Sequence, residues 1–225
     1  MKHILAVCAF SALMATAHAQ LSYVDWTSAS GDNVFGTITL ADSSTVSVEF
    51  TGPTSFIQLN NSGTDYWLPD APYNVLPNQP PSVDLIALYA ANSSYSLTFS
   101  KPVDGLDFLS VSLGSPSDPV TYTFDHDFTV LDSAAGYWGG SVYSQPTADS
   151  IIGQEFSGTL GFSDSGITSL NWTADNYENW HGFTVAVSSQ PIQSGPGAVP
   201  EPSTYALFAS LGLVGLIASR RLRRS

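Results

Sequence analysis

The chain has 225 residues, a formal charge of -13 and only 11% charged residues, against ~25% in ordinary soluble domains. With 19 acidic residues against 6 lysines and arginines, it lacks the positive surface that binding to DNA or RNA phosphates requires. Its length supports one large domain or two small ones, each able to bury a hydrophobic core.

The first 19 residues have the pattern of a secretory signal peptide. A positively charged start precedes the apolar run 4–14, and Ala17 and Ala19 form an A-x-A cleavage site. We therefore expect export through the secretion translocon and cleavage by signal peptidase after Ala19, so that the mature chain begins at Gln20. Because the single cysteine, Cys8, lies in this segment, disulfides and thiol catalysis are excluded from the mature protein.

Residues 20–189 repeatedly alternate apolar with hydroxyl-bearing side chains, a pattern typical of β-strands. We expect strands within 34–40, 45–51, 55–59, 85–89, 95–100, 109–113, 120–125, 156–162, 167–173 and 183–187. Turn signals rich in glycine, proline, aspartate and asparagine separate most of these segments. The predicted fold is an all-β ectodomain, an antiparallel β-sandwich or jelly roll. One face of each sheet is expected to lie on the core and the other in water.

A proline-rich insertion interrupts this pattern between residues 66 and 81. It cannot be a central strand, because proline has no amide hydrogen to donate to the ladder. We interpret it as a long surface loop that carries exposed aromatic residues, among them Trp67.

The ectodomain offers few catalytic motifs. Lys101 is its only cation, and it contains no HExxH, GxSxG, P-loop or CxxC pattern. A single lysine argues against phosphoryl transfer, which normally uses lysine or arginine clamps. A serine hydrolase around His126 or His181 and a glycosidase with two carboxylates both remain compatible with the composition.

Acidic clusters suggest calcium as the one cofactor. Asp125 and Asp127 flank His126, and Asp175 and Glu178 lie in a second segment rich in aspartate and asparagine. Calcium is bound by six to eight oxygen atoms on loops, although neither cluster has the spacing of a twelve-residue calcium loop. The alternative is that these are solvated turns. If a strand runs through the first cluster, His126 joins an apolar face; if the chain turns there, all three side chains are exposed.

Aromatic residues beside turns provide a third indication of function. Outside the alternating strands, Tyr137, Trp138 and Trp180 adjoin glycine, asparagine or histidine, and Trp67 lies two residues before Pro69. Solvent-facing aromatic rings can stack on the apolar faces of sugars, while neighbouring polar side chains bind the hydroxyl groups. We therefore predict a glycan-binding site at these four residues; the alternative is that they plug the ends of the sandwich.

The C-terminal segment has three parts, which follow a Pro/Gly/Ser-containing linker at residues 190–198. Pro200, Glu201 and Pro202 lie in a short motif, and the run 204–219, which is apolar from Tyr205 to Ala218, then covers ~24 Å as a helix. We expect this helix to anchor the chain transiently in the inner membrane. A cluster of arginines places the C-terminus in the cytoplasm: Arg220, Arg221, Arg223 and Arg224.

The order and spacing of these parts resemble the PEP-CTERM sorting signal of Gram-negative bacteria, over residues 199–225. The resemblance implies that an exosortase, a membrane-embedded enzyme similar to cysteine proteases, processes the chain near Pro-Glu-Pro. It also implies a destination at the cell surface or in the extracellular matrix, often alongside exopolysaccharide. The motif suits a protease, since residues before proline avoid the helical region and Glu201 is therefore held extended.

We therefore expect an exported surface or matrix protein with a non-enzymatic, structural or adhesive role linked to exopolysaccharide. A carbohydrate-binding module is the first alternative, and a carboxylate-dependent glycoside hydrolase is the second. Without the targeting segments the 19 acids become 18, Lys101 is the only cation, and residues 20–199 carry 1 - 18 = -17. Such a surface is suited to neutral glycans or divalent cations and unsuited to nucleic acids or anionic membranes.

Overall fold

The computed structural model describes residues 20–89 and 91–188. The predicted signal peptide, linker and sorting segment lie outside these residues. Within them the fold is all-β, as predicted, with one 3-10 turn at Ala71–Tyr73. None of the described residues belongs to a helix with the length and apolar character needed to span a membrane.

Fourteen strands pair antiparallel with their neighbours in the described residues. They are β1 (Leu21–Ser30), β2 (Asn33–Thr39), β3 (Thr45–Thr51), β4 (Phe56–Gln58), β5 (Leu85–Leu88), β6 (Ser93–Val103), β7 (Leu106–Leu113), β8 (Val120–Phe124), β9 (Phe128–Ser133), β10 (Val142–Thr147), β11 (Ser150–Gln154), β12 (Phe156–Phe162), β13 (Ile167–Ala174) and β14 (His181–Ser188). The sequence pattern does not predict β1, β9, β10 and β11. In β10 the reason is that all of its residues are exposed, so no apolar period marks it.

The strands form one large curled sheet rather than two separate ones. β1 joins the two halves, since residues 21–23 pair with β14 and residues 24–30 pair with β2. The first half continues from β14 through β7 and β12 to β9, with β5 beside β14 and β4 beside β5. The second half continues from β2 through β3, β6, β13, β8 and β11 to β10.

A cluster of aromatic rings fills the core between the two halves. At its centre, Trp172 of β13 lies 5.4 to 6.2 Å, between ring centroids, from six other rings: Phe50, Tyr95, Phe108, Tyr122, Phe124 and Phe183. Phe108 and Phe183 come from the first half of the sheet, and the others come from the second. The rings therefore hold the two halves against each other.

The proline-rich segment is a loop whose buried aromatic side chains cover the outer face of the first half. Trp67 and Tyr73 are only 4% and 1% exposed, and their rings meet edge to face at 5.5 Å. Both pack in an apolar cluster with Leu109 and Val111 of β7, and the Tyr73 hydroxyl donates a hydrogen bond to the Ser110 carbonyl at 2.9 Å. No strand forms here, as predicted, but the expected exposure of Trp67 is wrong. The cover removes the apolar side chains of Leu109 and Val111 from water, which is energetically favourable.

Candidate functional site

Four connections between strands meet around an open cleft of about 500 Å³. They are the connections β7–β8, β9–β10, β11–β12 and β13–β14. The lining consists of two tryptophans, a tyrosine, three carboxylates, three serines and one asparagine. The cleft therefore combines apolar ring surfaces with many hydrogen-bonding groups.

The floor of the cleft contains a buried carboxylate, Glu178, which is 8% exposed. Its Oε2 lies 2.8 Å from Nδ1 of the fully buried His181 and accepts a hydrogen bond from the Gly114 amide at 2.7 Å. Its Oε1 has no hydrogen-bond partner among the described residues, and the residue lines the cleft. Burial raises the pKa of Glu178 above its ordinary value, and the contacts with His181 and Gly114 oppose that rise.

Gly114 can supply this amide because it has no side chain. Its φ is +70°, and a Cβ added there would lie 2.1 Å from the carbonyl oxygen of Gly153. Both the backbone conformation and the close approach of the two chains therefore require glycine.

One wall of the cleft is formed by two residues in the left-handed backbone region. Ser112 and Glu155 both have φ of 58°, a conformation that costs of order 1 kcal/mol or more for a residue with a side chain. Ser112 lies in a β-bulge, where two residues of β7 oppose one of β12. Its hydroxyl donates a hydrogen bond to Oε2 of Glu155. Bulges of this kind re-aim side chains, and here the two polar groups both line the cleft.

Aromatic rings form another part of the lining and continue out of the cleft. Trp138 is 59% exposed and Tyr137 is 42% exposed, whereas Trp180 is half-buried. Ring contacts at 5.1, 4.9 and 4.8 Å run from Trp138 to Tyr137, to Tyr66 and to Trp180. The structure thus brings three of the four predicted glycan-binding residues together and adds Tyr66. Trp67 is buried in the apolar cluster under the proline-rich cover, so its prediction as a solvent-facing residue is wrong.

The four carboxylates predicted to bind calcium do not form one site. Asp125 accepts hydrogen bonds from the backbone and side-chain amides of Asn171 at 2.9 and 2.6 Å, and Asp175 accepts one from a β8 amide at 2.7 Å. Glu178 belongs to the cleft floor, and Asp127 is exposed at a bend. Across 20–89 and 91–188, no three acidic, histidine or cysteine side chains come together as a metal site needs. Asp125 and Asp175 instead hold strand ends in place.

The two histidines occupy different environments. The chain bends between β8 and β9, so His126 does not continue an apolar strand face, and its Nδ1 lies 2.6 Å from Oδ2 of Asp164 near the surface. His181 is fully buried beside Glu178 and the ring of Tyr122. Neither contacts a serine hydroxyl in the described part of the chain, as a serine hydrolase would need.

Sequence reasoning did not assign Glu155 to the site or identify the pairing of Glu178 with His181. Ser112 and Glu155 are 43 residues apart, and Gly114 and Glu178 are 64 residues apart. Local periodicity does not reveal such contacts. The one available signal was the three-residue spacing of Glu178 and His181 beside a tryptophan, in a segment rich in aspartate and asparagine.

Comparison with known protein families finds a match beyond the described residues. Its description is PEP-CTERM protein-sorting motif, and it covers residues 198–224. Comparison with curated proteins and with solved structures gives no match. The motif implies an exported protein with a membrane-anchored precursor that an exosortase processes. The resemblance found in the sequence is therefore confirmed, and the chain carries a C-terminal PEP-CTERM protein-sorting motif.

Proposed function

We propose that the exported ectodomain binds a glycan in the cleft and has a non-enzymatic, adhesive or structural role linked to exopolysaccharide. The observation that carries this proposal is the line of exposed and half-buried rings from Trp138 to Trp180 beside a polar floor. Sugar rings have apolar faces and hydroxyl-rich edges, so they match a site with both kinds of surface.

Trp138 is the strongest single indication of a ligand. Trp138 and Tyr137 are 59% and 42% exposed and their rings are in contact, and contiguous exposed apolar surface often marks a binding site. Their loop is held in place, because the Gly139 amide donates to the Gly136 carbonyl at 2.9 Å and the Ser141 hydroxyl donates to the Ser157 carbonyl at 3.1 Å. A fixed ring loses little conformational entropy when a sugar stacks on it.

Polar groups on several connections complete the site. Ser115 and Ser117 lie in the β7–β8 turn, and Asn179 lies in the β13–β14 connection. All three residues line the cleft. Serine hydroxyls both donate and accept hydrogen bonds, and an asparagine side chain does the same through its amide. They can therefore bind sugar hydroxyls while the rings contact the apolar faces.

Trp138→Ala is expected to weaken glycan binding by at least about tenfold, because a buried aromatic contact is worth roughly 2 kcal/mol. The measurement is binding of the full chain, purified in detergent, to an array of neutral and charged glycans. Phe35→Ala is the matched control, since it removes a half-exposed ring of β2 that lies away from the cleft. The proposal fails if the array gives no signal, or if Trp138→Ala binds as well as the Phe35→Ala control.

A carboxylate-dependent glycoside hydrolase is the second candidate function. It is favoured by the presence of Glu155 and Glu178 in one concave site, together with the raised pKa of Glu178. Product analysis after the binding experiment separates the two functions. A binding protein returns each oligosaccharide intact, whereas a hydrolase releases new reducing ends.

For the sorting motif, we expect processing near Pro200, Glu201 and Pro202 only in cells that contain the exosortase. The reason is that the two prolines hold Glu201 in the extended form that a protease binds. The mass of the protein, measured in cells with and without exosortase, tests this. We expect a shortened chain in the first case and an intact, inner-membrane chain in the second. An intact, membrane-retained chain in both strains would contradict the assignment.

A further inference from the structure

We propose that the cleft selects a cationic amino-sugar polymer, whose rings carry free ammonium groups, over neutral and acidic glycans. This inference rests on the proposed glycan-binding function and names the chemical class of its ligand.

The first argument is the charge of the cleft. Asp118, Glu155 and Glu178 all line it, and neither lysine nor arginine does so. Lys101, the only cation besides histidine in residues 20–199, lies on β6 and is not part of the lining. A uronic or sulfated sugar would meet three acidic groups, of which Glu178 alone has a basic partner among the described residues, the buried His181. An ammonium group would find an opposite charge at each of them.

The second argument is the unsatisfied oxygen of Glu178. Glu178 is more than nine-tenths buried and lines the cleft, both hydrogen bonds of its side chain end on Oε2, and Oε1 has no hydrogen-bond partner among the described residues. The negative charge of Glu155 adds to the effect of burial in raising the pKa of Glu178. A ligand ammonium group would neutralise this local negative charge and donate a charge-assisted hydrogen bond to Oε1. Such bonds are stronger than hydrogen bonds between neutral groups.

The third argument is the distribution of the carboxylates. They stand on the separate connections β7–β8, β11–β12 and β13–β14, and in the part of the chain that the structure describes no three acidic side chains converge as a metal site needs. A calcium ion requires its oxygen ligands around one point. A polymer with one charge per sugar ring suits carboxylates that are spread along a cleft.

The fourth argument is the aromatic lining. Trp138 and Trp180 flank the same cleft. The face of an indole ring attracts a cation and also stacks on a sugar, so an amino sugar satisfies both preferences at once.

The experiment compares hexamers of glucosamine, N-acetylglucosamine and glucose by isothermal titration at pH 6 with the full chain in detergent. We expect the glucosamine hexamer to bind at least about tenfold more tightly than the other two, since a charge-assisted hydrogen bond is stronger than one between neutral groups. We also expect 0.5 M salt to reduce this preference, because it screens the charges.

Glu155→Gln is expected to remove most of the preference for the glucosamine hexamer, because it keeps the side-chain shape and removes the charge. Asp127→Asn is the matched control: it removes one charge at an exposed bend outside the cleft and should preserve the preference. Thermal melting establishes whether each variant is folded. If Glu155→Gln does not fold, Asp118→Asn replaces it as the test variant.

Each result separates this inference from the function on which it rests. Equal binding of the three hexamers overturns the selection of an amino sugar and leaves glycan binding standing. A preference for glucosamine that Asp127→Asn lowers as much as Glu155→Gln also overturns it, because the effect would then come from overall charge. Binding of none of the probes overturns the inference, and an empty glycan array overturns the proposed function as well.

Discussion

Replacement of Trp172 by alanine is expected to unfold the ectodomain or to leave it barely stable. This residue is 2% exposed, and its ring contacts six others from both halves of the curled sheet. Truncating a buried tryptophan costs ~3–5 kcal/mol through lost burial and an unfilled cavity. A domain typically has only ~5–15 kcal/mol of unfolding free energy in all. Thermal unfolding followed by circular dichroism measures the loss.

Trp138→Ala provides the control for this prediction, because it makes the same chemical change at an exposed site. We expect it to alter the free energy of unfolding by less than ~0.5 kcal/mol. Equal destabilisation by the two substitutions would contradict the assignment of Trp172 to the centre of the core. The same variant should bind glycan more weakly, so we expect Trp138→Ala to reduce binding without reducing stability.

The central role of the aromatic core follows from the absence of other means of stabilisation. The chain has a single cysteine, Cys8, and therefore forms no internal disulfide. Residues 20–199 carry one lysine and no arginine, so surface ion pairs between lysine or arginine and the carboxylates contribute little. Burial of large rings between two halves of a sheet is then the main source of stability for a domain that works outside the cell.

The sequence predicts strands wherever one face is apolar and the other is not. This holds for β3, in which Val46, Val48 and Phe50 are buried and the residues between them are exposed or half-buried. The expectation of one buried and one solvent-facing side is wrong for β7, because Ser110, which alternates with the apolar residues, is also buried. The cover that buries the outer face comes from the proline-rich segment, and local periodicity contains no information on where a loop packs.

The candidate site was predicted in part. Tyr137, Trp138 and Trp180 could be chosen because aromatic residues beside turn signals rarely belong to a strand face. Glu155 could not be chosen, since it is held by a hydrogen bond from Ser112, a residue that lies in a β-bulge. These features depend on the register between strands that are distant in sequence, and register is set by the whole fold.

The largest effect of pH is expected at Asp107 of β7. Burial raises the pKa of its carboxyl from 3.8 to about 7, and neither a hydrogen bond nor a cation compensates its charge among the described residues. The nearby Tyr23 is also buried, and both its burial and the charge of Asp107 raise the pKa of its phenol. A folded-state pKa above the unfolded value means that folding favours the protonated acid. Stability is therefore full below pH 4 and is lost as the pH rises to about 7.

Asp107→Asn should remove this loss, because asparagine has nearly the same shape and no charge. The shift from 3.8 to about 7 corresponds to about 4 kcal/mol at 1.36 kcal/mol per pKa unit. We expect the variant and the natural protein to unfold at similar temperatures at pH 4, and the variant to be more stable by up to about 4 kcal/mol at pH 8. Glu178, whose pKa is also raised, acts in the same direction in both proteins, so the comparison cancels its contribution. Asp127→Asn, at an exposed bend, should follow the natural protein at both pH values. Parallel stability profiles of Asp107→Asn and the natural protein would show that this carboxyl is hydrated and that the cover leaves this part of β7 open to water.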